Sequence, residues 1–136
     1  MANFLYDAGR NLFLTGGVNW TSDGIRIAMV KNTYTAVQAT HTLTGDVGAN
    51  FSAYTPVLLS GKTASAGVAD ADDVIFYNGA VASESINALV VYKSGGTPGT
   101  AQLIAYIDTA TGFPLTTNGA PIDIIFDSGA NKIFKL

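Results

Sequence analysis

Two stretches of this sequence, Ile86–Lys93 and Leu103–Asp108, are apolar over most of their length, and they limit the possible folds more than any other feature. Side chains of a β-strand alternate between its two faces, so a run that is apolar at odd and even positions alike must be covered on both sides. Strands of that kind sit inside a sheet, not at its edge. One cover is expected from a helix; the other is expected from a second sheet or from a partner.

The only good helix candidate lies at the start. Asn3 can cap it, and Phe4, Leu5, Ala8, Leu12 and Phe13 repeat with helical spacing. Gly16-Gly17 then ends it, because glycine enters the left-handed region cheaply. A single apolar stripe on a helix of about three turns needs a sheet to lie on.

After the Asp23-Gly24 turn, Ile25–Val30 reads as the first core strand, with Ile25, Ile27 and Met29 on one face. Further β-prone runs are Val57–Leu59, Val74–Tyr77, Ile122–Phe126 and Lys132–Leu136. Turn chemistry separates them at Asn78-Gly79, Gly95–Gly99, Thr111–Pro114 and Asn118–Pro121. The expected architecture is mainly β: an antiparallel β-sandwich or a curled sheet with one short N-terminal helix. With 136 residues and no internal repeat or linker, residues 1–136 are expected to form one domain.

Composition narrows the function. There is no Cys, so disulfides and thiolate metal sites are excluded. Seven Lys and Arg stand against ten Asp and Glu, which leaves no basic footprint for nucleic acid. Charged residues make up only 12% of the chain against 48% hydrophobic ones, and Glu84 is the only glutamate. An ordinary soluble domain carries about 25% charge, so part of this surface is expected to be covered by another protein. Met1-Ala2-Asn3-Phe4 lacks a basic segment followed by an apolar run, so no secretory leader is expected. No apolar run reaches the ~18 residues of a membrane helix, and no membrane partner is expected.

Motifs that suggest chemistry fail their context. Ser60-Gly61-Lys62-Thr63 matches the end of a phosphate-binding loop, but the position of the first glycine is Pro56. The motif also leads into Ala64–Ala69, a poor helix start containing Gly67, where bound phosphate needs helix N-terminal amides. Asp70, Asp72 and Asp73 can in principle ligate Ca²⁺, but the distal Glu and bend Gly of a calcium loop are missing at the required distances. They read as carboxylates capping a turn before the Val74 strand. His41 is the only histidine, no nucleophile elbow is present, and Asp108, Asp123 and Asp127 lie near strand ends where aspartate is ordinary. The expectation is a protein that is not an enzyme and takes no metal or cofactor.

Aromatic residues are more informative. Trp20, Tyr34, Phe51, Tyr54 and Phe113 fall in expected loops. Trp20 and Phe113 are expected to close the ends of the sandwich. The Thr-rich stretch from Asn32 to Pro56 has no clean period and reads as a long excursion, and long irregular segments often carry function. Within it Tyr34, His41, Phe51 and Tyr54 are the candidate partner-binding residues, because aromatic side chains dominate interface hot spots.

Several stretches resemble a family of small virion proteins encoded by tailed bacteriophages. They are Leu5–Arg10 with Phe13–Gly16 and Asn19-Trp20, then Gly61–Thr63, Asp70–Val74, Ala88–Lys93 and Leu103–Asp108, and finally Gly112–Gly119 through Gly129–Leu136. Gln38–Ala53 departs most from that pattern. These are turn and strand signatures and not catalytic ones. The resemblance implies a capsid decoration (cement) protein on the outer surface of the virion head, assembled in the host cytoplasm, with the major capsid protein as partner. It implies a homo-oligomer, a trimer by the habit of such proteins. Two alternatives are a tail, connector or fibre-associated virion protein and a carbohydrate-binding module for host attachment.

Overall fold

The computed structural model describes residues 3–77, 82–95, 97, 99–109, 112–126 and 132–136. It is mainly β, with antiparallel sheets and one helix, as the patterning requires. A two-residue strand β1 (Phe4–Leu5) leads into helix α1 (Asp7–Thr15), followed by β2 (Ile25–Lys31). Then come β3 (Val57–Leu58), β4 (Thr63–Ser65), β5 (Val68–Asp70), β6 (Val74–Phe76) and the long β7 (Ala82–Lys93). The chain continues through β8 (Leu103–Ile107), β9 (Leu115–Asn118), β10 (Ile122–Ile124) and β11 (Phe134–Lys135).

The main sheet runs β1-β8-β7-β2-β3, with β9 also paired to β7. β2 takes one edge of β7 from Ile86 to Lys93, while β8 and β9 follow each other along the opposite edge. Both doubly apolar strands are therefore internal. All five residues of β8 are buried, as are Ala88 to Val91 of β7.

Each face of this sheet has its own cover. On one side Ile25, Ile27, Met29, Leu89 and Val91 meet Val74, Phe76, Ile124, Ala69, Ile133 and Trp20. Those partners come from two smaller sheets, β6–β10 and β11-β5-β4, together with the segment after α1. The helix packs on the same core through Leu12 and Phe13, and Phe13 meets Phe134 of β11. The other face carries Val30, Ala88, Val90, Leu103 and Tyr106, and it is covered by Tyr6, Tyr34, Ala36 and Val47. Helix and second layer thus share one face, and the second cover is the chain's own Asn32–Pro56 segment, containing two single 3₁₀ turns at Thr44–Asp46 and Gly48–Asn50. The doubly apolar strands do not by themselves require a partner, because this segment closes the second face.

The N-terminus departs from its expected form. Phe4 and Leu5 pair with Tyr106 and Ala105, so the helix begins three residues later than the spacing suggests. Asn3 does not cap it. Its side-chain oxygen accepts the backbone N–H groups of Asp108 and Thr109 at 2.8 and 3.2 Å, fastening β1 beside β8. Gly16, at φ 76°, ends the helix as expected. Gly9 sits directly on β8: a β-carbon there would lie 2.5 Å from the Ile104 carbonyl oxygen. Only glycine lets the helix approach that closely.

Candidate binding surfaces

Asn32–Pro56 is held to the sheet by polar contacts at both ends. Tyr6 and Tyr34 join hydroxyls at 2.7 Å, and the Tyr34 hydroxyl meets His41 Nδ1 at 2.8 Å. His41 Nδ1 also accepts the Val37 N–H at 3.4 Å, which makes it the acceptor and gives the chain of bonds one direction, Tyr6 to Tyr34 to His41. Burial pushes the Tyr6 hydroxyl far above its ordinary range, and the bond to Tyr34 adds to that. At the next turn the Asp46 carboxylate accepts the N–H groups of Leu43 and Thr42, which pull its pKa below the usual carboxylate range.

The far end is fixed by the only glutamate. The Ser52 hydroxyl donates to Glu84 Oε1 at 2.6 Å and the Ala53 N–H to Oε2 at 3.3 Å, with Lys31 Nζ at 3.8 Å. Tyr54 then turns inward, and its hydroxyl donates to the Ala120 carbonyl at 2.9 Å.

The four aromatic candidates therefore separate. Tyr34 and Tyr54 are 5% and 1% exposed and serve this chain's own core and bond network. Their place in that core, not a loop surface, explains why aromatic residues were needed there. His41 and Phe51 are partly exposed. Trp20 is buried, donates from its indole nitrogen to the Asp70 carbonyl and stands edge-on to Phe134, while Phe113 packs partly buried against the same core.

Between the Thr44–Pro56 part of this cover and Arg26, Tyr92 and Ser94, a cleft of about 880 Å³ opens. Phe51 and Tyr92 form one wall, their rings 6.1 Å apart and tilted by 58°. Arg26 enters from β2, directly opposite Tyr92 on β7. Its Nε donates to the Ser94 hydroxyl at 3.1 Å. Burial raises the Tyr92 hydroxyl pKa, and the Arg26 charge pulls against that shift.

A second surface lies on the β6–β10 ribbon. Val74, Phe76 and Ile124 face the core, so the alternate residues point outward. Ile75, Tyr77 and Ile125 are 40, 62 and 70% exposed. Ile75 stands opposite Asp123, and Ile125 is two residues beyond Asp123, which places all three apolar side chains on one outer face. The strand pattern carried this signal, because Val74–Tyr77 is apolar at odd and even positions just as β7 and β8 are. Arg26 and Tyr92 had no such signal, since strand alternation alone does not show where a loop cover stops.

The residues considered for chemistry are dispersed. The Ser60–Thr63 turn leads into strand β4 and not into a helix. Asp72 lies beneath Gly61, Asp73 Oδ1 accepts the Phe126 N–H at 2.9 Å, and Asp70 pairs with Lys132 at 3.1 Å. Each carboxylate thus holds a different piece of chain. Asp123 lies on the outer ribbon and Asp108 just past β8, while Asp127 is outside the described residues. Among the described residues no three His, Asp or Glu side chains gather as metal ligands, and no helix is long and apolar enough to cross a membrane.

No protein-family model matches this chain, and no curated protein is significantly similar to it.

Proposed function

We propose that this chain is a structural protein of a tailed-phage particle, a decoration protein that packs on the outside of the head and ties neighbouring subunits of the major capsid protein together. It acts as an oligomer, a trimer in this reading, and performs no catalytic step. One observation carries the packing role: Ile75, Tyr77 and Ile125 stand exposed on the outer face of the ribbon, around Asp123, on a chain whose charged fraction is only 12%. A protein that remained alone in solution would leave that face wet. Burying it against a shell stabilises the assembled state by mass action, without chemistry. The choice of a phage head rests on the resemblance of the turn and strand signatures.

Copy number in purified particles tests the reading. Hundreds of copies, located on the head, are expected. Tens or fewer would place the chain in the tail or connector instead, and its absence from particles would overturn the proposal. A glycan-binding role needs a flat aromatic platform. Phe51 and Tyr92 are only partly exposed and tilted by 58°, which favours packing against protein over stacking on a sugar.

A further inference from the structure

The cleft beside β2 combines three features that together define a ligand. Its charge comes from Arg26, the only charged side chain among its described lining residues. Its wall is aromatic, from Phe51 and Tyr92. Its size lies within the roughly 300–1,000 Å³ of ligand-sized clefts.

The state of Arg26 is the decisive point. A guanidinium has five N–H donors in a planar fork, and among the described residues its one hydrogen bond is from Nε to the Ser94 hydroxyl. No carboxylate among the described residues forms an ion pair with it, whereas Lys31, Lys93 and Lys132 pair with Glu84, Asp23 and Asp70. Half-burying a cation without a counter-charge is costly, and the usual remedy is a carboxylate held by two parallel bonds. The bond to Ser94 fixes the plane of the fork. Both terminal amino groups are left for that bidentate contact, which arginine makes and lysine cannot.

We propose that this cleft receives an Asp or Glu side chain from a partner protein, its carboxylate on the Arg26 fork and a neighbouring apolar side chain against Phe51 and Tyr92. Charge complementarity selects the occupant, since Arg26 supplies the only charge on the described wall and an acidic group is what it lacks. The inference rests on reading the chain as a protein that packs against a shell, and it names one contact through which it does so. The ribbon face supplies apolar area, and the cleft supplies orientation.

Two measurements test it separately. In the first, the free protein is titrated with phenylacetate, an aromatic carboxylate, and with phenylacetamide, its neutral counterpart, and the Arg26 Nε–H and the Ser94 and Tyr92 amide resonances are followed. Phenylacetate is expected to saturate at millimolar concentration and the amide to bind at least about fivefold more weakly. Arg26→Gln is expected to abolish the difference and Arg26→Lys to retain part of it; unchanged Trp20 fluorescence shows that both variants remain folded. Equal binding of acid and amide overturns the cleft assignment. In the second, wild-type and R26Q protein are added to shells stripped of this chain. A loss of affinity of about tenfold or more in R26Q supports a partner carboxylate. Equal binding of the two overturns the partner assignment even if phenylacetate binds. If the wild type itself fails to bind shells, the decoration reading falls and the named partner with it, whatever the phenylacetate result.

Discussion

Replacing Gly9 with alanine tests how the helix is seated. In an exposed helix this change would stabilise by about 1 kcal/mol, because alanine is the better helix former. Here the added β-carbon would stand 2.5 Å from the Ile104 oxygen and 2.8 Å from its α-carbon, both backbone atoms of an internal strand. The first separation falls about 0.9 Å short of the 3.4 Å at which ordinary contact begins. No rotamer change relieves a collision with backbone, so the helix must lift and Leu12 and Phe13 must loosen their packing. Overpacking of this kind costs about 1–3 kcal/mol, and partial exposure of two large side chains adds to it. The net expectation is a loss of about 2–3 kcal/mol. In urea, with a slope of about 2 kcal/mol per molar, the midpoint falls by roughly 1–1.5 M. The assay is urea unfolding followed through Trp20, the only tryptophan and buried in the same core. Asn11→Ala, at an exposed helical position, serves as the control and is expected to gain a few tenths of a kcal/mol. A G9A midpoint at or above wild type, with unchanged slope, would refute the close seating of α1 on β8.

The Tyr6–Tyr34–His41 chain predicts an order of effects. Tyr34→Phe strands the fully buried Tyr6 hydroxyl and is expected to cost about 1–3 kcal/mol, while Tyr6→Phe leaves Tyr34 bonded to His41 and costs about 0.5–1.5 kcal/mol. Urea midpoints in the reverse order would contradict this chain of bonds. Alkaline pH gives a separate readout. Burial raises the native pKa of Tyr6 above its unfolded value of about 10, so the stability it contributes is complete below pH ~10 and is lost as pH rises further. Its share of the slope grows from about 0.7 kcal/mol per pH unit at pH ~10 to about 1.4 above pH ~11, and Y6F should flatten the curve by that amount; parallel curves would rule this out. On the ribbon, Tyr77→Ser combined with Ile125→Asp should leave stability within about 0.5 kcal/mol of wild type yet weaken shell binding about tenfold or more. Unchanged shell binding would remove that face from the interface.

Much of this fold is written in local periodicity. β7 and β8 follow from runs too apolar for a half-wet strand, β2 from the apolar face of Ile25, Ile27 and Met29 after the Asp23-Gly24 turn, and the end of α1 from Gly16. Phe4 and Leu5 read as the start of the helix because two apolar residues fit a helical stripe and a short edge strand equally well. Only the distant Tyr106 and Ala105 decide between them. The β4–β5 hairpin leaves little trace in the sequence for a different reason. Its short strands of small residues carry little apolar signal, and its turn places Ala66 at φ 53° beside Gly67 at φ 78°, a conformation alanine seldom marks.

Asn32–Pro56 stands out in the sequence as unpatterned, but its work is not legible there. A segment lying irregularly across a sheet follows neither helical nor strand period, so Tyr34, Val47 and Tyr54 look like scattered loop residues although all three are buried. Local sequence also cannot show Glu84 reaching Ser52, or Tyr6 reaching Tyr34 across twenty-eight positions. The cleft was hidden for the same reason. It lies between that segment and Arg26, Tyr92 and Ser94, and its shape depends on how the segment is anchored.

Thermal dissociation of the particle tests the central claim most directly. Shells stripped of this chain are heated alone and with saturating purified protein, and the dissociation temperature is read by calorimetry. The account predicts saturable binding and a higher dissociation temperature, since a ligand of the assembled state must stabilise it. An unchanged temperature at saturation, or no binding at all, would contradict it.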